Sequence, residues 1–350
     1  MFPQRSLTVL FCTAGLTARG LAQAPGTDRV ALRLDTAEAV AVLAILERQA
    51  SGQPVGDSAW RALFAAEGYV RLKAREAGLH RDFSDSDFVA FVRTDSLIHR
   101  AGELRRTLSA WERMNVNAAA ARALAYLPPA ARIRATVYVV IKPRTNSFVF
   151  EVRTNPAIFL YLDPARTGAQ FENTVAHELH HIGFASVQGR TDSILAALPD
   201  SARKAAEWMG AFGEGFAMLA AAGGPDVHPH AVSPPQERAR WDRDVSHFNA
   251  DLRSLERFFL DVMSKRLAGE DTVNAIGFSF FGEQGPWYTV GWRMALTIER
   301  RYGRAVLIQC MEDPRLLLDR YNEAAAGHNR THADTLARWS PTLLSAIARQ

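Results

Sequence analysis

The chain has 350 residues, 48% of them hydrophobic and 22% charged, with 23 Gly and 16 Pro. That balance is globular and excludes a disordered, collagen-like or disulfide-stapled chain, while the length suits one large domain or two. The formal charge is +4, but only four cations are lysines (Lys73, Lys142, Lys204, Lys265) and no Lys/Arg run tracks a phosphate backbone, so nucleic acid is not expected as a partner.

Residues 1–24 read as a signal peptide. Arg5 precedes a mostly apolar run from Leu7 to Ala18, and small residues follow up to Pro25. Cleavage fits after Ala22 or Ala24, and the run is too short to cross a bilayer as a helix. The expected protein is therefore exported, periplasmic or secreted, with no stable membrane span in the mature chain. The alternative is a membrane anchor through an uncleaved signal. Of Cys12 and Cys310 only the latter survives cleavage, so no internal disulfide is expected, and losing Arg5 and Arg19 lowers the charge to +2.

Residues 25–130 form an N-terminal helical region in this reading. Asp35-Thr-Ala-Glu38 is a possible capping box ahead of Val42, Leu43, Ile45 and Leu46 at helical spacing. Gly52, Pro54 and Gly56 break that helix, and Asp57 can cap the next, which carries Trp60, Leu63, Tyr69 and Leu72. A further helical stretch runs from about Asp85 to Met114, with another through the alanines at 118–126.

Residues 131–350 are assigned to a catalytic core with C-terminal helices. Three short β-branched or apolar runs, 133–141, 147–152 and 157–162, predict a small sheet. Helical periodicity then returns and lasts to the C-terminus, broken by a loop from Gly223 to Pro235 that holds His228 and His230 and reads as solvent-exposed. The fold class expected is α+β, mostly helical, with the small sheet preceding one critical helix.

That helix, from about Ala169 to Ser186, contains His177-Glu178-x-x-His181. Histidines four apart share one helix face and can offer two imidazole nitrogens to one zinc ion. Glu178 is placed to take a proton from metal-bound water, while Val175, Leu179 and Ile182 form the apolar face. His180 offers an alternative pairing with His177, but only His177 with His181 keeps Glu178 in the HExxH order. A metzincin would need Gly at 184 and His at 187, where this chain has Phe184 and Val187. The third ligand is then a glutamate from a later helix: Glu207, Glu214 or Glu237. Glu214 stands out, because Gly213, Gly215, Phe216, Ala217, Met218 and Leu219 surround one carboxylate that needs a cation.

His177-Glu178-Leu-His180-His181 followed by Glu214-Gly215-x-Ala217 resembles the gluzincin-type zinc metallopeptidases. It resembles most closely bacterial zinc-dependent peptidase families of unknown function. Tyr288-x-x-Gly291, leading to Tyr302-Gly303, extends the likeness over residues 133–325. The resemblance implies a zincin-like core and an exported peptidase binding one Zn2+ per chain through His177, His181 and Glu214. Peptide or protein substrates would be hydrolysed by Glu178-promoted attack of zinc-bound water. It also implies that the strand at 157–162 is a sheet edge pairing with an extended peptide, and that Tyr288, or failing it His247, stabilises the oxyanion. The thermolysin-like pattern has Asp four residues beyond the third ligand, where this chain has Met218. The rival reading is a secreted, helix-rich binding protein on a zincin scaffold with a structural or lost metal; the intact His177, Glu178 and His181 argue against it.

Overall fold

The computed structural model describes residues 29–348, so the expected signal peptide and Cys12 lie outside the described residues. A four-stranded sheet is built from β1 (Val30–Asp35), β2 (Ile133–Val140), β3 (Phe148–Phe150) and β4 (Ala157–Tyr161), in the order β1-β2-β4-β3. β1 and β4 both run parallel to β2, and β3 closes the sheet antiparallel to β4. The sequence reading has no strand before Ile133. Val30, Leu32 and Leu34 do alternate with the exposed Ala31 and Arg33, the period-2 pattern of a half-buried strand. β4 is an interior strand, which corrects its expected role as a sheet edge: β2 and β3 satisfy its two sides, and no peptide can add to it.

Seven helices separate β1 from β2: α1 (Ala37–Ala50), α2 (Asp57–Ala65), α3 (Glu67–Gly78), α4 (Asp85–Val92), α5 (Asp95–His99), α6 (Ala101–Trp111) and α7 (Val116–Leu124). The single helix expected over 85–114 is thus three, with breaks at 93–94 and Arg100. The expected capping box does not form either. Glu38 is 1% exposed and its Oε2 accepts the Ile141 N–H at 2.8 Å, so it is a core residue of α1. Burial pushes its carboxyl up to about 8, against the opposing hydrogen bond from Ile141 and the nearby Lys142.

One face of the sheet, with Val137, Val139, Ile158 and Leu160, joins α1, α6, α7 and the next helix, α8 (Gly168–Ala185), in one apolar cluster. On the other face Tyr138, Phe159 and Phe148 stack ring on ring, with Leu72 of α3 packed among them. The rest of the described chain is helical: α9 (Gly189–Ala196), α10 (Asp200–Met209), a 3-10 turn at Gly210–Phe212, α11 (Gly213–Ala222), α12 (Pro235–Ser246), α13 (Phe248–Met263), α14 (Glu270–Ser279), α15 (Pro286–Tyr302), α16 (Arg304–Glu312), α17 (Pro314–His328) and α18 (Pro341–Ala348). All of these helices except α12 share a second apolar cluster around Phe212, Phe259, Trp287 and Trp339. The expected class, a mostly helical α+β fold with a small sheet, is the observed one. Among the described residues no helix is long and apolar enough to cross a membrane.

Candidate metal centre

α8 starts on a capping box. The Thr167 side chain accepts the Gln170 N–H, and the Gln170 side chain accepts the Thr167 N–H, satisfying donors that a helix N-terminus leaves free. Val175, Leu179 and Ile182 are buried against the sheet. That burial turns His177 and His181 the other way, toward α11. Their Nε2 atoms lie 3.1 Å apart, and Glu214 Oε2 stands 3.1 Å from the first and 3.2 Å from the second.

Three potential ligand atoms therefore converge on one point. A tetrahedral zinc with bonds of about 2.0–2.1 Å separates its ligand atoms by about 3.3–3.4 Å. The observed triangle falls within a few tenths of an ångström of that, so the residues present fit the ion. Two neutral imidazoles and one carboxylate are also a zinc donor set. Glu207 is exposed on α10, and Glu237 on α12 faces His230 at 3.9 Å, so neither joins the cluster.

Electrostatics bind the same three groups together. Burial alone would raise the Glu214 carboxyl, but the His181 and His177 rings hold it well below the usual carboxylate range. Reciprocally, burial would lower His181, and Glu214 raises it. Burial raises the Glu178 carboxyl, opposed by the neighbouring His177 and His181. His180 does not join the cluster: it is 1% exposed, and burial followed by the His181 and His177 charges pushes it down to about 3. It is a neutral core residue.

Glu214 sits in the first turn of α11, where the aligned peptide dipoles favour a carboxylate. Its position depends on a crossing of two helices at glycine. A Cβ on Gly215 would lie 2.0 Å from the Trp292 backbone nitrogen, and one on Gly291 would lie 2.6 Å from the Phe212 carbonyl oxygen. Only glycine at both positions lets α11 and α15 approach this closely. The same crossing brings Tyr288, one turn before Gly291, to the cluster. Its ring lies parallel to that of His177 with centroids 6.3 Å apart. Burial and the Glu214 and Glu178 charges raise the pKa of its hydroxyl.

The sequence reading took Glu214-Gly215 and Tyr288-x-x-Gly291 as family likeness and missed the packing role of the two glycines; a glycine within one helix turn of each candidate residue was the available signal. His247 is exposed between α12 and α13, with no contact to the cluster. The expected exposure of His230 is also corrected. It is 4% exposed and packs on Trp241, while its Nδ1 pairs with Ser233 Oγ.

A mostly helical α+β protein with a His-His-Glu cluster on facing helices is the class that fold and geometry define. The chain belongs to the family described as "Putative zinc dependent peptidase (DUF5700)", whose model matches residues 60–330. No curated protein and no solved structure matches it.

Proposed function

We propose that the protein is an exported peptidase of gluzincin type, in which His177, His181 and Glu214 hold one zinc ion per chain. The observation that carries the reading is the triangle of 3.1, 3.1 and 3.2 Å between their ligand atoms. Zinc held there would supply a Lewis acid that makes water a stronger nucleophile near neutral pH.

The protein's own side chains do the rest. Glu178, one step round α8 from His177, takes a proton from the attacking water as its oxygen bonds to the peptide carbonyl carbon. It then carries that proton to the amine that leaves when the C–N bond breaks. Tyr288 donates a hydrogen bond to the oxygen on which charge develops. Its raised pKa keeps the hydroxyl protonated and able to donate. Export rests on residues 1–24 and is tested by the N-terminal mass of the protein recovered from its native host.

Metal analysis and a peptide-library digest test the activity. The purified chain is expected to carry stoichiometric zinc, and Glu178→Gln to keep the metal while losing cleavage. A chain without zinc, or a Glu178→Gln variant that cleaves as fast, refutes the proposal and favours a binding protein on the same scaffold. Glu214→Gln is expected to lower zinc affinity, and an unchanged affinity would remove Glu214 from the ligand set.

A further inference from the structure

A second concavity, of about 590 Å³, opens between α15, α17 and the segment that follows α17. Its lining carries four guanidiniums, of Arg293, Arg300, Arg301 and Arg330, against one carboxylate. Arg301 on α15 and Arg330 just beyond α17 both reach the surface at Gly327. The Arg330 Nη2 and the Arg301 Nε lie 3.8 and 3.9 Å from the place a Cβ on that glycine would take. Among the described residues neither guanidinium has an acid or a carbonyl acceptor. The one carboxylate in the lining, Asp334, is already engaged by Arg293 at 3.3 Å and by His328 at 3.2 Å. His332 stacks face to face on His328, with ring centroids 4.0 Å apart.

Two guanidiniums beside one glycine concentrate positive charge there, and each offers up to five N–H donors with no protein acceptor. The other two guanidiniums of the lining are paired, Arg293 with Asp334 at 3.3 Å and Arg300 with Asp226 at 3.5 Å, which leaves Arg301 and Arg330 as its unpaired cations. The geometry points to a ligand that supplies the missing charge: we propose that this concavity binds a doubly charged tetrahedral oxyanion, a phosphoryl group. Two uncompensated cations match a dianion, and two sets of forked donors suit three oxygens better than the two of a planar carboxylate. The volume lies within the range of small-ligand sites.

The site is separate from the candidate metal centre. Arg301 lies thirteen residues beyond Tyr288 on α15, about 20 Å along the helix axis. It also projects from a different face, since Tyr288 looks toward His177.

Calorimetric titration of inorganic phosphate into the zinc-loaded protein, at ionic strength held constant with sodium chloride, tests the proposal. Wild type is expected to bind, and the Arg301→Gln/Arg330→Gln double variant to bind at least tenfold more weakly. Both side chains are exposed and unpaired, so the double variant should fold. Phosphate held at the metal would survive both substitutions. Undiminished binding by the double variant, or no binding by wild type, overturns the proposal. Co-sedimentation with phosphatidylcholine vesicles carrying phosphatidic acid identifies the source. Sedimentation that needs both the acidic lipid and the two arginines makes the group a lipid headgroup. Phosphate binding without sedimentation makes it a soluble phosphoryl compound.

Discussion

Gly215→Ala probes the helix crossing that places Glu214. The added carbon would sit 2.0 Å from the Trp292 nitrogen, 2.3 Å from the Gly291 carbonyl carbon and 2.6 Å from its Cα. All three are backbone atoms, so no side chain can swing aside. Ordinary carbon contacts are about 3.5–4.0 Å, which requires α11 and α15 to part by about 1–1.5 Å. Alanine gains about 1 kcal/mol of helix propensity over glycine. Overpacking at a rigid backbone contact costs about 3 kcal/mol or more, leaving a net loss of about 2 kcal/mol. The same displacement moves the adjacent Glu214 by about an ångström, whereas metal–ligand distances hold to about 0.2 Å. Zinc affinity should therefore fall as well. Denaturant unfolding of chelator-treated protein measures the first effect, and competition with a chromophoric chelator measures the second. A variant at least as stable as wild type, with unchanged zinc affinity, would refute the idea that the Gly215–Gly291 contact positions the carboxylate.

Tyr288→Phe is expected to keep its zinc and lower kcat by about 10²–10³-fold, the usual effect of removing one oxyanion donor; steady-state kinetics with parallel metal analysis check it. Glu38 gives a pH signature. Its folded-state carboxyl titrates near 8 against an ordinary 4.5, so its contribution to stability is fully present below about 4.5 and is lost as pH rises to about 8. In chelator-treated protein, Glu38→Gln should therefore gain on wild type across that window by a few kcal/mol at most, at about 1.4 kcal/mol per pH unit; parallel unfolding curves between pH 5 and 8 would disprove it. Arg304→Ala strips an ion pair at 3.0 Å from Glu299, whose side chain is only 7% exposed and otherwise holds Tyr126. A loss of about 3 kcal/mol in denaturant unfolding is expected for a buried charge left without its cation.

What could be read from the residues alone follows from how local each signal is. The α8 pattern was legible because a single helix turn carries both histidines, and because burial of Val175, Leu179 and Ile182 fixes which face they share. Glu214 was legible through desolvation, since a carboxylate among Gly, Phe, Ala, Met and Leu needs a partner. Sheet order was not, because pairing is decided by contacts far apart in the chain. β1 reaches β2 across about a hundred residues, and the three-residue β3 is enough to make β4 interior. Glu38 misled for a related reason: its spacing from Asp35 satisfies a capping box, while the Ile141 N–H that claims it lies 103 residues away. The change of period near residue 130 marks three of the four strands, β1 having come a hundred residues earlier. Apolar packing nevertheless runs across it, joining Val42 and Leu104 to Val137 and Leu179 in one cluster.

The candidate centre lies where the two apolar clusters meet, and this gives its chemistry a structural consequence. His177 and His181 project from α8, whose apolar face belongs to the cluster that includes the sheet, whereas Tyr288 projects from α15 in the all-helical cluster. α11 belongs to both, with Ala221 in the first and Phe216, Leu219 and Ala220 in the second. Glu214 at its start therefore reaches from one packing unit to the two imidazoles held by the other. An ion bound by these three residues would tie the clusters together, so its binding free energy adds to their cohesion as well as to catalysis. The two glycines of the α11–α15 contact hold Glu214 and Tyr288 in one rigid frame. The packing of this frame against α8 sets the distance from Glu214 to the two imidazoles.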